Sequence, residues 1–300
     1  MKDRLPAGVR RVMLDAGGTM PAFAIDTDSC HALVSQQGAQ LLSFRAAGRP
    51  PLLWLSERAV LSPGKAIRGG IPLCFPWFGS HPHDTSLPAH GFARTRNWQL
   101  RAAETAGEAV VLSFALQADA ATLALWPHRF RAHLSLSLGA AANLTLTLAN
   151  EDVAAFSCEF ALHTYFAVGD VRAVDVLGLE SRPWIDKVAG DGVLRDGADV
   201  ALRCSAETDC VYPAAGGRYR LLDPARDWQT GIDATAVPSA IVWNPWQEKS
   251  RQMADMTAEG WRQMLCVECG AVGPDRLTLQ PGRQREFRMV LWQGAGAPSP

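Results

Sequence analysis

The 300-residue chain has no long apolar run, no dominant charge and no nucleotide-binding signature. Nowhere does it approach the roughly 20 consecutive apolar residues that a membrane-crossing helix needs. Its opening stretch, MKDRLPAGVRRVMLD, places charges and a proline where a secretory leader requires uninterrupted apolar residues, so a cytoplasmic location is expected. The 29 basic and 30 acidic side chains nearly cancel. No overall field then exists to gather nucleic acid or an anionic membrane, and any anion must be recognised locally. There is no P-loop, no dinucleotide fingerprint and no G-x-S-x-G elbow. Seven cysteines, an odd number spread over a long chain, do not make the paired framework of a small secreted domain, and a reducing compartment fits them better. Internal repeats, low-complexity linkers and breaks in composition are also missing. One domain over residues 1–300 is therefore expected, with the Gly-Ala-Pro-Ser-Pro ending as a loose tail.

What the chain does have is two-residue periodicity. Residues 109–116 (AVVLSFAL), 130–138 (FRAHLSLSL), 144–148 (LTLTL) and 286–292 (EFRMVLW) alternate apolar and polar side chains in the manner of half-buried strands. Turn signals at Gly69-Gly70, Asp191-Gly192, Gly216-Gly217 and Pro281-Gly282 divide such runs at short intervals, which suits an antiparallel β-sandwich. A short helix is expected within residues 242–258.

The stretch 67–100, IRGGIPLCFPWFGSHPHDTSLPAHGFARTRNWQL, has neither period. Long irregular segments inside compact domains often carry function. Gly69 and Gly70 allow backbone angles closed to other residues, and Pro72 and Pro76 stiffen the chain beyond them. Arg68, Arg94 and Arg96 each offer a planar fork that matches phosphate or carboxylate oxygens, although any one of them could equally be a surface or ion-pair residue. His90, between Pro88 and Gly91, is placed to hold its ring towards a pocket, whereas His81 and His83 resemble solvated loop tips. These three histidines match no familiar metal-ligand spacing, so no metal site is assigned.

Two further segments stand out. In FSCEFALHTYF (156–166), alternation puts His163 on one face with Ala161 and Glu159; a histidine in an aromatic strand is often a core residue. In MLCVECGA (264–271), Glu268 lies in an apolar strand, where an ionised carboxylate is costly without a partner. Cys266 and Cys269 have C-x-x-C spacing but read as strand, so they are taken as packing residues.

Together IRGGIPLCFPWFG, LPAHGFARTRNW, LHTYF, ETDCVY, VWNPW and MLCVECG resemble, in order from Arg68 to Gly270, the aldose 1-epimerase (galactose mutarotase-like) superfamily, in particular its hexose-6-phosphate mutarotase branch. The resemblance implies a large antiparallel β-sandwich and an isomerase that exchanges the α and β anomers of a hexose 6-phosphate without a cofactor. It implies His163 as general acid, Glu268 as general base, Arg68 and Arg94 on the substrate phosphate, Asp209 on sugar hydroxyls, and His90 orienting the ring. Some members carry glutamine where this chain has Ala89. The expected partner is a small hexose phosphate, with no nucleic acid and no membrane, and the expected state is a monomer. On this reading the acid and base flank the ring from opposite sides, and a neighbouring carboxylate or carbonyl raises the histidine pKa. Trp77, Phe78 and Trp243 could cover apolar sugar faces. The alternatives are a mutarotase of unphosphorylated sugars, a non-catalytic sugar-phosphate binding module, or a lectin-like domain that uses exposed aromatics.

Overall fold

A computed structural model describes residues 5–190, 192–226 and 228–295. Asp191, of the expected Asp191-Gly192 turn, and the tail at 296–300 lie outside the described residues.

Two eight-stranded antiparallel sheets make up the body. The backing sheet runs in the order Asp175–Leu177, Arg218–Leu222, Trp228–Thr235, Gln284–Ala295, Ala142–Asn150, Phe130–Leu138, Ala109–Gln117 and Gln99–Ala106. All four periodic segments of the sequence fall in it, and the cause is visible in Phe130–Leu138. There Phe130, Ala132, Leu134, Leu136 and Leu138 are buried, while Arg131, His133, Ser135 and Ser137 face outward. A sheet with one face on the core and one in water writes its period into the chain.

The site sheet runs Val193–Arg195, Trp184–Asp186, Thr208–Tyr212, Ser239–Asn244, Met264–Ala271, Phe160–Leu162 and Leu73–Cys74, with Tyr165–Ala167 also paired to Met264–Ala271. Its central strand, Met264–Ala271, is buried at every position. Leu265, Val267, Cys269 and Ala271 enter the main core, where the Phe160 ring of this sheet meets Phe287 of the backing sheet at 4.3 Å. Burying side chains of this size stabilises by about 1.5–3 kcal/mol each. Met264 and Cys266 point the other way, into a separate cluster with Tyr165 and Met256. Glu268 lies on that second face.

A four-stranded sheet of Val9–Met13, Pro21–Asp26, Cys30–Ser35 and Leu41–Ala46 packs alongside. The expected helix is Trp246–Gln252. The cysteines are all unpaired and buried, and Cys266 and Cys269 face opposite sides of their strand, so their spacing makes no redox pair. No helix among the described residues is long and apolar enough to cross a membrane.

Candidate active site

Glu268 and His163 meet on the second face of the site sheet. Phe160–Leu162 pairs with the central strand through Ala161↔Gly270, and Tyr165–Ala167 through Tyr165↔Cys266. Continued across the gap, the same register sets His163 opposite Glu268. His163 Nε2 lies 3.3 Å from Glu268 Oε1, and the two residues are 5% and 1% exposed. They are side by side on one surface, which corrects the expectation that they would approach a sugar from opposite sides: the central strand supplies Glu268, and the break between the two short strands paired with it supplies His163.

The loop 67–98 walls this centre. Gly69 and Gly70 have φ of +119° and +63°, and a Cβ on Gly70 would lie 2.3 Å from the Leu41 carbonyl oxygen; the loop can pass there only without side chains. Buried Gln40 donates to the carbonyls of Ile67 and Gly69 at 3.3 and 2.7 Å, pinning the backbone on both sides of Arg68. The Arg68 guanidinium donates from Nε to Asp255 Oδ2 at 3.1 Å and from Nη1 to the Tyr165 hydroxyl at 3.0 Å. Arg94 is less committed: Nη2 donates to the Ala89 carbonyl at 2.9 Å, and its buried Nε has no partner.

His90, at φ +63°, is clamped by Gly79, whose N–H donates to His90 Nδ1 at 3.3 Å and whose carbonyl accepts from the His90 N–H at 2.6 Å. Its ring sits 5.7 Å from that of His163 and 4.9 Å from Phe78. Burial, with Arg94 and Arg68 nearby, pushes its pKa down to about 3. The ring is therefore neutral, and with Nδ1 accepting it carries its proton on Nε2. Asp209 enters from Thr208–Tyr212, two strands from Glu268. Burial raises its pKa to about 6, Lys249 and Lys187 oppose this, and Glu207 and Asp186 add to it.

Burial also dominates the central pair. It lowers His163 well below the ordinary imidazole value, helped by His90, Arg94 and Arg68. Glu268 is raised well above the ordinary carboxyl value, first by burial and then by Asp209, with Arg94 opposing. The expected upward shift of the histidine is thus reversed: the neighbouring carboxylate is present, but burial beside two arginines disfavours imidazolium. His163 Nδ1 and Glu268 Oε2 are buried without hydrogen-bond partners, as is Arg94 Nε. Leaving such atoms unpaired costs about 1–3 kcal/mol each, so each of the three calls for a partner.

Six of the residues singled out by sequence therefore gather here: Arg68, His90, Arg94, His163, Asp209 and Glu268. Arg96 does not, since its charge bears on Asp119. His81 and His83 stay on an exposed loop, and no group of three or more His, Cys, Asp or Glu among the described residues is placed to hold a metal. Trp243 and Phe78 border the site, whereas Trp77 is core, its Nε1 donating to the Pro88 carbonyl. Sequence reasoning missed three residues. Tyr165 is signalled only by standing two places from His163; Gln40 and Asp255 have no local signal.

The model of the family described as aldose 1-epimerase matches residues 21–292. The chain belongs to the aldose 1-epimerase family. Similar family members include a protein of Cenchrus ciliaris named "Putative glucose-6-phosphate 1-epimerase", 34% identical over 96% of this chain and 86% of its own length. A protein of the same name from Escherichia coli is 36% identical over 82% of this chain and 81% of its own. The crystal structure of a "putative mutarotase" from Salmonella typhimurium superposes with a TM-score of 0.90 at 29% identity, covering 98% of this chain and 96% of that one. The all-β sandwich expected from the motifs is thus the fold of this epimerase family member.

Proposed function

We propose that the protein exchanges the α and β anomers of a hexose 6-phosphate, glucose 6-phosphate foremost, as one domain and one subunit. The observation that carries this reading is the buried His163–Glu268 contact with its unpartnered outer atoms.

Anomers exchange when the O1 proton is removed and the ring oxygen is protonated, so that the C1–O5 bond breaks. Rotation about C1–C2 then presents the other aldehyde face, and O5 attacks again as the two groups reverse roles. O1 and O5 share one carbon, so an acid and a base that stand side by side can serve both. Neutral imidazole with a carboxylic acid holds the same protons as imidazolium with a carboxylate. Burial favours the first form, and moving one proton from Glu268 to His163 arms the second. A substrate whose hydroxyls replace water around the pair lowers the cost of that charge separation. His90, as a neutral Nε2–H donor, would bind a ring or hydroxyl oxygen without competing for the proton. Asp209 would accept from sugar hydroxyls. Arg94 and Arg68 would hold the phosphate, keeping the open chain near the pair.

Exchange NMR or polarimetry on one anomer of glucose 6-phosphate tests this. Glu268→Gln should lose about a thousandfold or more in kcat while still binding the sugar; an unchanged rate removes Glu268 from the chemistry. One observation favours a second reading, a mutarotase of free sugars: Arg68 already serves two protein acceptors.

A further inference from the structure

His163 has little of its own to hold its ring. Its backbone N–H donates to the Pro72 carbonyl at 3.0 Å, but ring Nδ1 has no partner and Nε2 faces only Glu268. The ring lies flat on that of Tyr165, with centroids 4.7 Å apart and planes 7° from parallel. Tyr165 itself is firmly held. Its N–H donates to the Gly70 carbonyl and its carbonyl accepts from Trp54, both at 2.9 Å, while Trp54 stacks on it at 5.9 Å and Trp243 meets it edge-on at 6.1 Å. The Tyr165 hydroxyl then reaches Arg68 Nη1, and Asp255 fixes the same guanidinium through Nε. Neither of these contacts uses Nη2 of Arg68, and the side chain is 24% exposed.

We propose that Tyr165 is a positioning residue through which the anion-binding end of the site sets the orientation of the His163 imidazole. The anionic half of this inference rests on the hexose-phosphate reading above. Two stacked rings 7° from parallel cannot tilt independently. An anion drawing on Arg68 shifts the hydroxyl that Arg68 holds, and with it the ring that carries His163. The π face of the phenol also cushions the imidazolium when the proton arrives, which offsets part of the burial that disfavours it. A substrate bearing a phosphate would thereby gain in kcat as well as in binding.

The test uses the full chain labelled with ¹⁵N, with inorganic phosphate as the probe and His163 ring nitrogen shifts as the readout. Phosphate should move these resonances in the wild type, and the response should be largely lost in Tyr165→Phe, which keeps the stack and removes the hydroxyl. The same variant should lose about tenfold in kcat on glucose 6-phosphate, with KM within about twofold. Tyr165→Leu, which removes the stack, should lose more on phosphorylated and free sugar alike. A purely structural role would lower the melting temperature and leave the phosphate response intact. The inference is overturned if phosphate leaves His163 unmoved in the wild type, if Tyr165→Phe responds as the wild type does, or if only KM changes. Should the wild type turn over no hexose phosphate at all, that sinks the functional reading, and the resonance shifts still decide the role of Tyr165.

Discussion

The strand Met264–Ala271 and the loop 67–98 border the same buried centre and are built in opposite ways. The strand places Glu268 by ladder register and by burial on both faces, so its position is a property of the whole sheet. The loop places Arg68 and Arg94 by individual devices: a glycine pair threading past Leu41, one buried glutamine, one carboxylate, one backbone carbonyl. On the proposed mechanism, geometry needed for proton transfer sits on the element that is hardest to deform, while geometry that could select the distal end of a substrate sits on the element that is easiest to alter. Within the loop the two arginines differ again, one held by two protein partners and one nearly free.

That difference sets the largest effect expected within the loop. Arg94→Ala should cut kcat/KM on glucose 6-phosphate by about a hundredfold, through loss of a charge-assisted contact, and leave free glucose within about threefold. Its folding stability should stay within about 0.5 kcal/mol of the wild type. Arg68→Ala strands the Asp255 carboxylate and the Tyr165 hydroxyl, so it should also destabilise the fold by about 1–3 kcal/mol in denaturant melts. Equal losses on both sugars in Arg94→Ala would move the assignment to the free-sugar reading.

The floor can be probed without touching the reacting pair. The Asp209 carboxylate is one of the causes that raise Glu268. Asp209→Asn removes that negative charge, so Glu268 should ionise at lower pH, and the alkaline limb of the kcat profile, where the pair loses its one proton, should move down by roughly half a unit to one unit. A limb that stays in place would leave Asp209 as a sugar ligand with no electrostatic hold on the base.

The same contrast decides what is legible in the sequence. The backing sheet declares itself because each strand of nine or more residues has a wet face, and alternation needs both faces to differ. The site sheet does not: Phe160–Leu162, Tyr165–Ala167 and Leu73–Cys74 are two or three residues long, and the central strand is apolar almost throughout. Its content is legible only through motifs, which point to His163, Glu268 and the arginines. Asp255 reaches Arg68 across 187 positions of chain, and Gln40 reaches Gly69 across 29. No local pattern encodes such contacts. The direction of the His163 shift escapes the sequence for a related reason, because the partner carboxylate can be inferred from motifs but the completeness of burial cannot.

His90 gives the smallest effect, and one that separates the wall from the floor by pH alone. In the folded protein its pKa is about 3, against an ordinary 6.5 once unfolded. Below pH 6.5 the unfolded chain takes up a proton that the folded ring refuses, so stability falls as pH drops towards 3. Between pH 7 and pH 5 this should cost about 1 kcal/mol, after allowance for solvent screening of a half-buried ring. Glu268 works in the other direction: its raised pKa favours the folded state at low pH, and that contribution fades as pH rises through it. Wild type alone would therefore show opposed slopes that partly cancel, with His163, which burial also keeps neutral, adding to that of His90. Comparison with His90→Asn, which tolerates the positive φ and does not titrate, isolates the wall. Denaturant melts at pH 7 and pH 5 should find the variant losing less stability on acidification than the wild type, and parallel losses would mean that His90 is protonated, not neutral, in the folded site.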